Sequence, residues 1–378
     1  MALPRNCKRI SLLERVISAE RTIPADFTEP IFAIYHNDFI SIIGADPEAT
    51  VALEAKHPFA HEAGVYIPND ESVFVTSNKY LPSGAAKGKI VVSKLSRDSK
   101  GNWTRHELST GVRMGNGGIN YKNGILFCDQ GSGNRLGGLV YMNTQPPYAT
   151  TVLLDNYHGR AFNSVNDVVV SADGTIWFTD PIYGYEQGFK GMPQLPCQVY
   201  RFDPETSDVR VMADGFGRPN GICFSPDEKT VYITDTDSVH GDGTTDPMRA
   251  STMSVTPHTP SDSFSRRANA VRYAFDLVER NQSPFLSNRR LFAMADVGIP
   301  DGIKCDLKGN VYSGCGDGVS VWNAGGVLLG KIMIRGGVAN FCFGRKGEMF
   351  LLNETKFWVV RVAKNVQGAL LHGMGIKV

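Results

Sequence analysis

The chain has 378 residues with 39 basic and 38 acidic side chains, a formal net charge of +1; this balance leaves no electrostatic footprint for nucleic acid or an anionic membrane. An apolar content of 42% supports a large core, and 40 glycines and 20 prolines point to many turns rather than to disorder. No apolar run approaches the roughly 18 residues of a membrane-spanning helix. Residues 1–30 read as a short N-terminal extension, in which Ile10, Leu13 and Ile17 stand at the spacing of an amphipathic helix. The extension has no continuous apolar segment of signal-peptide type, so the default expectation is a cytoplasmic protein. The seven cysteines, an odd number without any C-x-x-C pair, argue against a disulfide framework or a zinc site.

Beyond the extension one grammar recurs: a polar residue, an apolar run, a Gly/Asp/Asn turn and a second apolar run. It appears in "HEAGVYIPNDESVFVTSN" (61–78), "GNGGINYKNGILFCDQG" (115–131), "NDVVVSADGTIWFTDP" (166–181), "PNGICFSPDEKTVYITDT" (219–236), "PDGIKCDLKGNVYSGCGDG" (300–318) and "VANFCFGRKGEMFLLNET" (338–355). Each copy is a hairpin signal. The leading polar residues are Glu62, Asn116, Asn166, Asn220, Asp301 and Asn340, separated by 54, 50, 54, 81 and 39 residues. A propeller blade of four short strands takes roughly 40–50 residues. The expected fold is therefore all-β: a six-bladed β-propeller over residues 31–378. The long separation holds a Ser/Thr/Pro/Asp/Gly-rich stretch at 240–270, read as a loop insertion.

Rotation about a propeller axis brings the six leading residues to one mouth of the central channel. They offer only oxygen: two carboxylates and four carboxamides. That donor set suits a hard cation such as Ca2+, which takes six to eight oxygens at roughly 2.3–2.6 Å; thiolate or imidazole would suit softer metals. A single Asn-Gly or Asp-Gly pair is explained by turn chemistry alone. Six copies in register, two of them acidic, favour function. His61, in "HPFAH", adjoins Glu62 and is assigned to the mouth as a substrate-side residue; Pro58 argues against a His57/His61 helix there. Asp167, one position after Asn166, is expected to point away and to fix the turn. Cys223, Cys305 and Cys342 read as core thiols.

The motifs "NDVVVSADGTIWFTDPIYG" (166–184), "RPNGICFSPDEKTVYITDT" (218–236) and "PDGIKCDLKGNVY" (300–312) resemble the senescence-marker-protein-30/gluconolactonase family over about residues 60–360. The resemblance implies a divalent metal, Ca2+ foremost, in the channel, and hydrolysis of a small lactone. Carried over by position, it implies Glu62, Asn166, Asn220 and Asp301 as metal ligands, with Asp301 also as acid/base. It leaves Asn116 and Asn340 to contact substrate or water, and sets Arg160 near a substrate-side arginine. Where relatives open the first blade with Glu-Gly-Pro-x-Trp, this chain has "EAGVY", and Val165 stands before Asn166 where Pro is common.

The implied chemistry is a metal-polarised carbonyl attacked by water, with Asp301 taking the proton; direct attack by Asp301 stays open. No G-x-S-x-G elbow supports a serine hydrolase, and the glycine-rich stretches "RMGNGG" and "GSGNRLGG" lack phosphate-binding fingerprints. Two alternatives remain: a non-hydrolytic synthase or isomerase using the same channel, and a binding propeller without catalysis. The expected partner is a small lactone, with neither nucleic acid nor membrane; the oligomeric state is not readable from the sequence.

Overall fold

Alternating apolar residues, short strand lengths and Gly/Asp turns leave each hairpin with two faces to bury, and radial stacking of sheets buries both. The computed structural model describes residues 3, 7–9, 31–85, 87–237, 239–241, 244 and 271–376, and in them six sheets are arranged as the blades of a β-propeller. Blade 1 comprises Glu62–Ile67, Ser72–Thr76, Val92–Arg97 and Trp103–Glu107. Blade 2 comprises Gly115–Tyr121, Gly124–Asp129, Gly138–Asn143 and Thr150–Leu154. Blade 3 runs from Val168–Val170 through Ile176–Asp180 and Gln198–Asp203 to Asp208–Ala213. Blade 4 runs from Pro219–Phe224 through Thr230–Asp235 and Val271–Arg280 to Ser283–Met294. In every blade the strand named first lies innermost.

The last two blades borrow from the N-terminal side. Blade 5 (Ile303–Cys305, Val311–Cys315, Gly318–Trp322, Leu328–Met333) is extended outward by Ile31–Ile34 and then by Cys7–Arg9. Blade 6 (Asn340–Phe343, Glu348–Asn353, Lys356–Arg361) takes its outermost strand from Glu48–Glu54, antiparallel to Lys356–Arg361. A segment near the N-terminus and one near the C-terminus thus share a sheet, which ties the two ends of the ring together. The helix expected around Ile10, Leu13 and Ile17 lies outside the described residues, as does most of the 240–270 insertion. Among the described residues no helix is long and apolar enough to cross a membrane.

The core lies between the blades. Phe162, Phe178 and Tyr200 pack with ring centroids 5.2–5.3 Å apart, and Trp177 meets Phe224 of the next blade edge-on at 5.6 Å. Arrangements of this kind add roughly 0.5–1.5 kcal/mol each beyond the area they bury. At one end of the axis the short helix Ala369–Gly373 lies across the channel. Its Leu371 packs in a cluster with Tyr66 and Cys342, Leu370 against one with Val168 and Phe224, and Ala369 against Cys223 and Cys305. The other end of the axis carries the polar ring.

Candidate metal and active site at the channel mouth

Each blade reaches the mouth at the N-terminal end of its innermost strand, and a hydrogen bond at or beside the ring residues ties each blade to its neighbour. Thr76 donates to the Asn116 carbonyl (2.9 Å), Thr179 to that of Asn220 (2.6 Å) and Thr234 to that of Asp301 (2.9 Å). The Gly117 N–H reaches the Asn166 carbonyl at 2.8 Å, and the Gly302 N–H reaches Ala339 at 2.9 Å. The Asn340 amide donates to Glu62 at 2.7 Å and completes the circle. Thr179 and Thr234 are the Thr of the recurring Thr-Asp pair, and Thr76, followed by Ser77, holds the corresponding place in blade 1, so part of the repeated grammar is the inter-blade latch.

An Asp at the same strand end holds the approach to the ring: the Asp of the Thr-Asp pair in blades 3 and 4, and Asp129, which follows Cys128, in blade 2. Asp180 accepts the N–H groups of Asn163 (2.9 Å) and Ser164 (2.7 Å), just before Asn166. Asp235 accepts those of Gly217 (3.1 Å) and Arg218 (2.8 Å), just before Asn220. Asp129 accepts that of Arg113 (3.1 Å), before Asn116. In blade 6 the equivalent Asn353 donates instead, to the Gly337 carbonyl at 2.6 Å. These are charge-assisted bonds in blades 2–4, worth roughly 1.5–3 kcal/mol each.

Local backbone bends turn the ring side chains inward. The innermost strands of blades 1, 2 and 4 carry register shifts at Ala63/Val65, Gly115/Gly118 and Pro219/Ile222, the bulges that re-aim a side chain beside a site. In blade 1 two successive residues, Ala63 (φ 66°) and Gly64 (φ 72°), adopt the left-handed region. This is where the chain departs from the Glu-Gly opening of its relatives, and Ala63 carries a conformation that glycine adopts at less cost.

Four oxygens of the ring are buried without a hydrogen-bond partner: Oδ1 of Asn116, Asn166, Asn220 and Asp301. Gln130 and Asn163, close in sequence to ring elements, have orphaned side-chain oxygens too. Buried oxygens without partners are costly unless a ligand satisfies them. Oxygen donors from four blades facing one axis are the set a hard cation takes. Among the described residues no three His, Cys, Asp or Glu side chains are arranged to hold a metal, so a cation here depends on the carboxamides. Asn340 is spent otherwise: its nitrogen is on Glu62 and its oxygen accepts the Phe341 N–H at 2.8 Å. It buttresses Glu62.

Charge at the site is unusual. Burial, followed by the charge of Asp301, pushes the Glu62 carboxyl well above its ordinary range. Burial likewise pushes Asp301 up to about 6, against the pull of His61, and the two carboxyls are close enough to share a proton. His61 joins Glu354 at 2.7 Å. Burial lowers its pKa, but Glu354, with Glu62 and Asp301, outweighs that and pushes it up to about 10. Asp167 is buried in the channel, contrary to the turn role expected of it. Its carboxylate accepts the Ile222 N–H of blade 4 at 3.3 Å and lies 3.8 Å from the Lys304 ammonium. With all groups ionised, three carboxylates (Glu62, Asp301, Glu354) face one cation (His61), leaving two negative charges that a divalent ion would cancel; Asp167 is paired with Lys304 further along the channel.

Above the ring, the helix Tyr183–Glu186 brings in Tyr183, whose hydroxyl meets Thr236 and lies 3.5 Å from the Asn220 amide nitrogen. That contact turns the Asn220 oxygen toward the ring. Arg218 pins the helix through Glu186 and reaches Asp237 at 3.0 Å. Arg160 sits on the small hairpin Asn156–Tyr157/Arg160–Ala161 and is exposed; among the described residues no hydrogen bond or ion pair links it to the ring. Tyr183, Glu354 and Lys304 lie within the quoted motifs, but none is a leading polar residue, so the repeat does not single them out.

Residues 97–240 match the family model of the SMP-30/Gluconolactonase/LRE-like region. A lactonohydrolase of Aspergillus oryzae is 29% identical, over 90% of this chain and 78% of its own. A gluconolactonase of Zymomonas mobilis is 30% identical over 58% of this chain and 55% of its own. A solved gluconolactonase of Xanthomonas campestris superposes with a TM-score of 0.64 at 25% identity, covering 92% of this chain and 99% of that one. This chain is a β-propeller in which residues 97–240 match the SMP-30/Gluconolactonase/LRE-like region.

Proposed function

We propose that this protein hydrolyses a small lactone at the channel mouth, with a divalent cation, Ca2+ foremost, held by Glu62, Asn166, Asn220 and Asp301. The observation that carries this reading is the set of buried, partnerless oxygens around the Glu62 and Asp301 carboxyls. The names of the similar proteins, lactonohydrolase and gluconolactonase, supply the substrate class. A cation bound here supplies positive charge for a lactone carbonyl oxygen and makes a neighbouring water more acidic.

The chain's own residues do the rest. Asp301 accepts a proton from water as the water oxygen bonds to the carbonyl carbon. It returns that proton to the ring oxygen as the acyl C–O bond breaks, and a hydroxy acid leaves. Glu354 keeps His61 cationic beside Asp301 and Glu62, which favours their ionised forms. Asn166 and Asn220 bring oxygen without charge, preserving the pull on the carbonyl. Tyr183 orients Asn220.

A lactone panel followed by acid release tests the reading. Wild type is expected to open at least one lactone, and Asp301→Ala to lose roughly 10²–10⁴-fold of that rate, the range for a general base. Undiminished turnover in folded Asp301→Ala, or no turnover of any lactone by wild type, would overturn it.

A further inference from the structure

Beneath the ring the channel widens into a cavity of about 360 Å³, lined by the innermost strands of all six blades and by the segment around Ala369–Gly373. Its size lies within the roughly 300–1,000 Å³ of small-molecule pockets. The wall is mainly apolar: Ile119, Val170, Ile222, Phe224, Phe343 and Leu370 all face it. Lys304 brings in the one lysine or arginine of the lining, from blade 5. Its side chain is only 16% exposed, its nearest carboxylate is Asp167 at 3.8 Å, and among the described residues its ammonium donates no hydrogen bond. The Asp167 oxygens are already engaged, one by the Val168 N–H at 2.9 Å and the other by the Ile222 N–H at 3.3 Å. An ammonium that lines an apolar cavity without a hydrogen bond to the protein is placed to meet an anionic acceptor there.

We propose that this cavity is a second small-molecule site, separate from the ring, that takes a monocarboxylate with an apolar body. The carboxylate pairs with Lys304, and the chain runs down the apolar wall toward Leu370. At about 30 Å³ for a water-sized group, the cavity holds roughly a dozen such groups, which suits an acid of about six to ten carbons. A free fatty acid and the hydroxy acid released from an alkyl-substituted lactone share this chemistry. The site itself does not rest on the lactonase reading.

Calorimetric titration of the full chain with octanoate, and separately with 4-hydroxyoctanoate, tests the site in the presence of a chelator that keeps the ring free of cations. Saturable one-to-one binding is expected for at least one of them, and the tighter of the two names the source. Octanol should bind at least ten-fold more weakly than octanoate. Lys304→Met should weaken octanoate at least ten-fold, as for loss of a charge-assisted bond, whereas Lys304→Arg should retain it. Val170→Trp, which fills the cavity, should abolish binding while leaving the fold intact by circular dichroism. Absence of saturable binding by either acid would refute the site, as would binding indifferent to both Lys304→Met and Val170→Trp.

Discussion

The two ends of the central channel are built from the same six strands and differ in almost every other respect. At the mouth, polar side chains are buried with oxygens left unpaired, two carboxyls crowd together, and Ala63 sits at a φ of 66°. A few residues further along the same strands, the wall is apolar, and a helix with Leu370 and Leu371 crosses the axis. Asn120 there shows the ordinary solution: its amide donates to the Tyr66 carbonyl at 2.9 Å. The contrast teaches that the mouth is not arranged for folding. Oxygens from four blades, buried without partners at one end of the axis, are held there for a ligand.

The largest effect expected from that division falls on chemistry. Asp301→Asn should lower lactone turnover by roughly 10²–10⁴-fold, with no loss of melting temperature in chelator, because it removes a crowded buried charge. At the far end Phe224→Ala should do the reverse. It should cost about 3–5 kcal/mol of stability by denaturant unfolding and leave cation affinity unchanged. Asp180→Ala should fall between them. It strands the Asn163 and Ser164 N–H groups for about 2–3 kcal/mol and loosens the placement of Asn166, so that stability and cation affinity fall together. Asn220→Leu sharpens the contrast further. It should raise the stability of the cation-free protein by about 1–2 kcal/mol, since a buried oxygen without a partner disappears, while the stabilisation gained on adding Ca2+ is lost. A drop in cation-free stability would show that the orphaned oxygen is not a burden.

The smallest effect is a slope with pH. Burial raises Asp180 to about 7 and Asp301 to about 6, and raises Glu62 well above its usual range. These three carboxyls therefore hold more protons in the folded chain than in the unfolded one between the ordinary carboxylate range and neutrality. Their contribution to stability is fully present below about pH 4 and falls as pH rises toward 7. Bound cation holds Glu62 and Asp301 ionised, so saturating Ca2+ should flatten this fall and leave mainly the share of Asp180. Melting curves at pH 4–8, with chelator and with Ca2+, measure the two slopes.

The propeller is legible in the sequence because each inner hairpin repeats one grammar, and repetition at blade length has few structural meanings. The Thr-Asp pairs are legible as a pattern but not as devices, since only the folded ring puts Thr179 against Asn220 of the next blade. Closure is not legible. Glu48–Glu54 carries no module, and its partner Lys356–Arg361 lies some three hundred residues away. Asp167 misleads for a physical reason: the period-two rule holds within a strand, and the strand of blade 3 begins only at Val168. Before it, Asn166 and Asp167 are set by bonds to Thr179 and Ile222, and both turn toward the channel. His61 stands beside Glu62 in the sequence, but its partner Glu354 comes from the opposite end of the chain and no local signal connects them.

The measurement that bears most directly on the central claim is the initial rate of lactone opening, titrated with Ca2+ from a chelated start in wild type and in Asn220→Leu. The account predicts a rate that is near background in chelator and rises saturably with Ca2+ in wild type, with the saturation point displaced at least ten-fold in the variant. A wild-type rate indifferent to chelator and Ca2+, or an unchanged saturation point in Asn220→Leu, would contradict it.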